Sequence, residues 1–157
     1  MNNTINTSSD VSFSSESALK AMEKGDLKEW VIKLLESEKS YELAEKISSE
    51  KIVAIEMYNF PLALLKKIKG PEENEDHRQP PDVWEDKVKE MEKKIGNDYT
   101  PAPLIVTDFW NKFEVADGNH RHEALERRGI KSYWTIFFIK YEAGKDYLHK
   151  IMSRDTD

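Results

Sequence analysis

The 157-residue sequence contains no cysteine, which removes disulfides, thiolate metal sites and thiol catalysis together. No apolar run is long enough to cross a bilayer, and the N-terminus shows neither the basic nor the apolar region of a secretion signal. A soluble, cytoplasmic protein without a membrane partner is therefore expected. Neither a GxxxxGK(S/T) phosphate loop nor a GxGxxG turn occurs, so the common nucleotide folds do not compete as explanations. Positive charge is scarce as well. The chain has 24 Lys and Arg against 30 Asp and Glu, a net charge of −6, which argues against sequence-independent affinity for a nucleic-acid backbone.

What is present is enough chain for one core. Residues 1–16 are rich in Ser, Thr and Asn and read as a flexible tail. Residues 17–48 read as a helical extension. A first helix stops at Gly25, Asp26 caps a second carrying Leu27, Trp30, Val31, Leu34 and Leu35, and Tyr41, Leu43, Ala44 and Ile47 mark a third. These helices would pack on the later domain or offer a protein partner a surface. Residues 49–157 form that domain. Residues 51–58 read as a strand, and Pro61 is expected to open a helix ending at Gly70. An acidic, proline-bounded loop, residues 71–81, carries Arg78. Asp82 with Glu85 suggests a capping box for a helix presenting Trp84, Val88, Met91 and Ile95, which ends before Gly96. After a proline-rich turn, residues 104–107 read as another strand, and Tyr147, Leu148 and Ile151 suggest a last short helix.

The centre of the chain is residues 113–139, FEVADGNHRHEALERRGIKSYWTIFFI. Phe113 and Val115 alternate with Glu114 as a half-buried strand, Asp117-Gly118 breaks it, a short helix runs to Gly129, and residues 133–139 form a second buried strand. The expectation is a compact βαβ unit with a right-handed crossover. A helix beginning at Gly118, Asn119, His120 and Arg121 would present unpaired amides and partial positive charge, and Arg121 would add a guanidinium fork, which together suit an anion.

DGNHRHEAL followed by RRGIKSYWTIFFI resembles the signature of the ParB/sulfiredoxin superfamily, a strand-G-x-x-R-x-x-A-helix matched here by Gly118, Arg121 and Ala124. The resemblance runs from about Ile52 to Lys140. It implies an α+β fold, a small mixed sheet with packed helices, in which this turn holds the phosphates of ATP, ADP or CTP, with Mg2+. It also implies that Arg78 assists from its loop. Asn119 stands where sulfiredoxins carry cysteine, so sulfinic-acid reduction is excluded.

Within that frame Gly118, Asn119, His120 and Arg121 are the phosphate-binding candidates, and Asp117 and His120 the catalytic ones. Asp117 is also the candidate magnesium ligand, or the group that orients a nucleophile. The bland alternative is a plain helix start with Asp117 or Asn119 as its cap. His120 and His122 lie roughly 200° apart on a helix, which resists a shared metal. His122 with Glu126 reads as a solvent-facing pair. Glu56, Glu123 and Asp108 are the other carboxylates considered for acid–base work, and Arg127 and Arg128 read as offsets to the helix dipole. Trp110 is the exposed aromatic candidate for base stacking. Two functions stay open: an enzyme of phosphoryl transfer or nucleoside-triphosphate hydrolysis, or a non-catalytic, nucleotide-switched or DNA-associated module. A nuclease ranks third.

Overall fold

The computed structural model describes residues 13–70, 77–95 and 101–155. Helices α1 (Ser15–Glu23), α2 (Leu27–Ser37) and α3 (Tyr41–Ser49) lead into β1 (Ala54–Pro61), a 3-10 turn (Leu62–Leu64) and β2 (Leu65–Lys67). Two short strands, β3 (Lys69–Gly70) and β4 (His77–Arg78), pair with each other. Then come α4 (Pro81–Lys94), β5 (Leu104–Phe109), β6 (Lys112–Asp117), α5 (Asn119–Arg127), β7 (Ser132–Ile139) and α6 (Glu142–Asp155). Most of the expected tail and most of the acidic loop lie outside the described residues, while α4 ends at Lys94, before Gly96, as expected.

Period-two alternation fixes what each side of the main sheet meets. Its order is β1-β7-β5-β6-β2, with β5 at the centre. On one face Phe60, Val106, Phe113, Val115 and Phe137 pack with Trp84 and Val88 of α4, Ala124 and Leu125 of α5, and Leu148 and Ile151 of α6. Phe60, Phe113 and Phe137 interlock edge to face, their ring centroids 4.9 to 6.0 Å apart. Each such buried phenylalanine contributes about 1.5–3 kcal/mol through lost apolar surface alone. The opposite face is covered by the N-terminal helices. Ala18, Leu27, Val31, Leu34, Leu35, Ala44 and Ile47 pack on Met57, Ile105, Ile136 and Phe138 of β1, β5 and β7. Among the described residues β6 and β2 give nothing to this second core, so the outer face of that half of the sheet stays uncovered. The architecture is α+β, a small mixed sheet with packed helices, as expected.

Three local expectations are overturned. The helix expected over 61–70 does not form. Leu62 N donates to Lys131 O, and residues 65–67 pair in parallel with β6, so sheet hydrogen bonds override the helical pattern of LALLKKIK. The crossover expected between β6 and β7 is not a parallel βαβ unit. Both strands border β5, β6 antiparallel and β7 parallel to it, so β6 and β7 run in opposite directions and the handedness rule does not apply. Nor do Asp82 and Glu85 form a capping box. Pro80 holds the cap position of α4, Asp82 lies inside its first turn, and the Glu85 carboxylate pairs with Arg127.

Candidate functional site

The turn between β6 and α5 is held from inside. Gly118 has φ +102°, a left-handed conformation that side chains disfavour, and an added Cβ would stand 2.8 Å from Leu104 Cδ2 and 2.9 Å from the Arg121 guanidinium. Asn119 is 5 % exposed. Its amide donates to Val115 O at 3.0 Å and its carbonyl oxygen accepts from Ile68 N at 2.9 Å, which clamps the chain after β2 to the end of β6. His120 hydrogen-bonds Gln79 through Nε2 at 2.9 Å and stacks on Trp84, ring centroids 4.7 Å apart.

Arg121 differs from expectation. Instead of facing a ligand, its guanidinium is turned inward, and the residue is 7 % exposed. It donates to Asp117 Oδ2 at 3.1 Å, to Pro103 O at 3.2 Å and to Glu38 Oε2 at 3.3 Å. The reason is its place one turn after Asp117 on the helix, with the end of α2 closing over it. Glu38 completes a cluster of two carboxylates around one guanidinium. Burial pushes the Glu38 carboxyl up to about 7, and the Asp117 charge and hydrogen bond push the same way, while Arg121 opposes them.

In front of the turn lies a cleft of about 1060 Å³. It occupies the uncovered part of the sheet, with Thr107 and Phe109 of β5 and Glu114 and Ala116 of β6 as its floor. Helix α3 is its wall. The start of α3 sits at the turn, because Glu38 reaches Arg121. The chain leaving α3 reaches the other end, because Val53 N donates to Ile139 O, next to the rim residue Lys140. Lys39, Ser40 and Tyr41 line the same cleft as Asp117, Gly118, Asn119 and His120, and the Glu38–Arg121 bond joins the two segments at its near end. Two nine-residue helices thus begin at one end of one cleft, and among the described residues neither start is closed by a side-chain cap hydrogen bond.

Several solved structures are similar to this chain, two of them a sulfiredoxin and a ParB. One is sulfiredoxin from Arabidopsis thaliana, with a TM-score of 0.37 and 20% identity over 59% of this chain and 97% of that one. The other is the C-terminally truncated chromosome-partitioning protein ParB from Caulobacter crescentus, complexed with CTP-gamma-S. It scores 0.41 with 14% identity, over 65% of this chain and 54% of that one. No protein-family model matches the chain, and no curated protein does. At these scores neither likeness speaks for the ligands of this chain.

The remaining candidates are not gathered at the cleft. Asp108, 1 % exposed, accepts from the backbone of Lys140 at 2.8 Å and Tyr141 at 3.1 Å and so caps α6. Glu56 ties β1 to α6. It accepts from Tyr58 Oη at 2.5 Å and meets His149 Nε2 at 2.8 Å; burial and this carboxylate push the Tyr58 hydroxyl up to about 12. Glu123 bonds Lys67 and Arg127, which hold its carboxyl below the usual range against the opposing effect of burial. Arg127 is more than a dipole offset, since it grips Glu85 with two bonds of 2.6 and 2.9 Å and joins α5 to α4. His122 is not solvent-facing. It is 3 % exposed, and its Nε2 must carry the proton because its partner at 2.8 Å is the carbonyl of Leu62. Trp110 is 80 % exposed at the β5–β6 hairpin. Arg78 lies in β4, and its side chain falls outside the described residues.

Sequence reading missed what the N-terminal helices bring to the site, namely Lys39 and Ser40 on the cleft and Glu38 on Arg121 behind it. The available signal was Ser40 ahead of YELAEK, a helix-start residue following a lysine.

Proposed function

We propose that this protein binds a nucleotide, with its phosphates where α3 and α5 begin. The observation that carries this reading is the convergence of two helix starts, neither closed by a side-chain cap among the described residues, on one end of a deep cleft. Backbone amides there point the same way as both helix dipoles, an arrangement that suits multiply charged anions. Lys39 adds a side-chain donor at that end, where His120 also lines the cleft with its Nε2–H held by Gln79. Arg121 acts from behind: with Asp117 it sets the shape of the turn, and Asn119 fixes the turn to β6 and β2. The cleft volume lies at the upper end of the range, about 300–1,000 Å³, usual for small-ligand sites.

Asp117 is the carboxylate at the phosphate end and the group through which hydrolysis or phosphoryl transfer would run. One of its oxygens already accepts from Arg121, and among the described residues no three metal-ligating side chains stand together. Magnesium would therefore arrive on the phosphates, with Asp117 as its one protein ligand. A second reading, a nucleotide-switched module without turnover, draws support from the Glu38–Arg121–Asp117 cluster. Through it the helical layer is bonded to the turn that would meet the ligand.

Titration calorimetry with ATP, ADP and CTP tests the reading. Lys39→Gln should weaken binding roughly ten-fold, since one charged hydrogen bond is lost. Absence of heat with all three at millimolar concentration sinks it. Release of phosphate from ATP with magnesium, abolished in Asp117→Ala, selects the enzyme. Binding without release selects the module.

A further inference from the structure

The cleft is not uniform along its length, and the order of its groups names a ligand class. Residues on one face of a strand are two positions apart, about 6.6 Å. Starting from the phosphate end, Gly118, Ala116 and Glu114 succeed one another along β6, so the Glu114 carboxylate stands about 13 Å from the turn. Thr107 pairs with Glu114 across the ladder, and Phe109 lies one step farther along the same face of β5, about 20 Å from the turn.

We propose that the ligand is a ribonucleoside polyphosphate lying along β6, with its ribose hydroxyls on Glu114 and its base against Phe109. This rests on the phosphate end described above and adds the identity of the sugar and base attached to the phosphates. Glu114 is the deciding residue. An ionised carboxylate only accepts hydrogen bonds, so mid-cleft it repels further phosphate and receives hydroxyl donors. A polyphosphate chain or a nucleic-acid backbone is disfavoured there, and a vicinal diol is favoured. The side chain is held in place: it is 16 % exposed, and Lys66 Nζ stands 3.9 Å away. The Thr107 hydroxyl opposite can both donate and accept. Phe109 is 45 % exposed, and Trp110 meets it edge to face with centroids 6.2 Å apart. Such an open ring stacks any base without reading its edge.

The test compares ATP and CTP, their 2′-deoxy forms and inorganic tripolyphosphate, by calorimetry on the full chain. Wild type should prefer each ribonucleotide over its deoxy form by roughly ten-fold, the loss of one charged hydrogen bond. Glu114→Ala, which removes the acceptor altogether, should bring that ratio close to one. Phe109→Ala should weaken ATP and CTP roughly ten-fold and leave tripolyphosphate unchanged, which also shows that the variant is folded. If tripolyphosphate binds as tightly as ATP, or the ribose preference is absent or survives Glu114→Ala, the phosphate end stands and this proposal is overturned. If neither tripolyphosphate nor nucleotide binds, both readings fail together.

Discussion

Substituting alanine for Gly144 should destabilise the protein, against the general rule that alanine improves a helix over glycine. Gly144 lies in the first turn of α6, over the capping carboxylate of Asp108. A Cβ there would stand 2.8 Å from Asp108 Cγ, 2.9 Å from its Cβ and closer still to Oδ2. Asp108 has little room to withdraw. It is a short side chain on the central strand, 1 % exposed, and holds two backbone N–H groups at 2.8 and 3.1 Å. Displacing it forfeits two hydrogen bonds to a charged group, about 3–6 kcal/mol in all. Helix propensity returns about 1 kcal/mol, so the net loss is about 2–5 kcal/mol. Urea unfolding followed by tryptophan fluorescence should show a lower midpoint at unchanged slope. The decisive control is Asp108→Ala, which is itself destabilising through the lost cap. In that background the obstruction is gone, and Gly144→Ala should become stabilising by up to about 1 kcal/mol. A neutral or stabilising Gly144→Ala in the parent protein, or the same sign in both backgrounds, would refute the reasoning.

Three further outcomes are expected. The folded-state pKa of Glu38 is raised, to about 7, above its ordinary 4.5, so its protonated form favours the folded chain. That contribution is complete below about pH 4.5 and is lost as pH rises through 7; Glu38→Gln should therefore gain roughly 1–2 kcal/mol relative to the parent at pH 8 compared with pH 4, in paired urea titrations. Gly118→Ala combines a left-handed φ with a Cβ pressed between Leu104 and Arg121, and should cost about 1–3 kcal/mol in the same assay. Trp110 has φ +58° and is 80 % exposed, so Trp110→Gly should raise the thermal midpoint by relieving about 1 kcal/mol of backbone strain.

Most elements were legible because their patterns are local. The periods of LKEWVIKLL and PDVWEDKVKEM, the alternation of FEV and the unbroken apolar run ending in FFI gave helices and strands where they occur. Residues 61–67 were not legible, since Leu62 and Leu65, three positions apart, fit one helical turn as well as a 3-10 turn entering a strand. Only pairing with β6, some fifty residues away, decides between them. At the site, the turn was readable from Asp117-Gly118, and its left-handed glycine is there. The direction of Arg121 was not, because it depends on Glu38, which lies 83 positions earlier and reaches the turn only when α2 folds over the sheet. Helix-face arithmetic likewise left His122 in solvent, while the Leu62 carbonyl that receives its proton comes from a segment misread as helix.

The helical layer is fastened to the rest at two kinds of place, oily contacts on half the sheet and one ionic knot at its edge. Cutting away residues 17–48 would bare Ile105, Ile136 and Phe138 to water and take Glu38 from Arg121 in the same stroke. Such a trimmed chain would clump before it could report anything about a lost binding partner, so any search for associates of those helices must alter their outward residues and leave their inward ones alone.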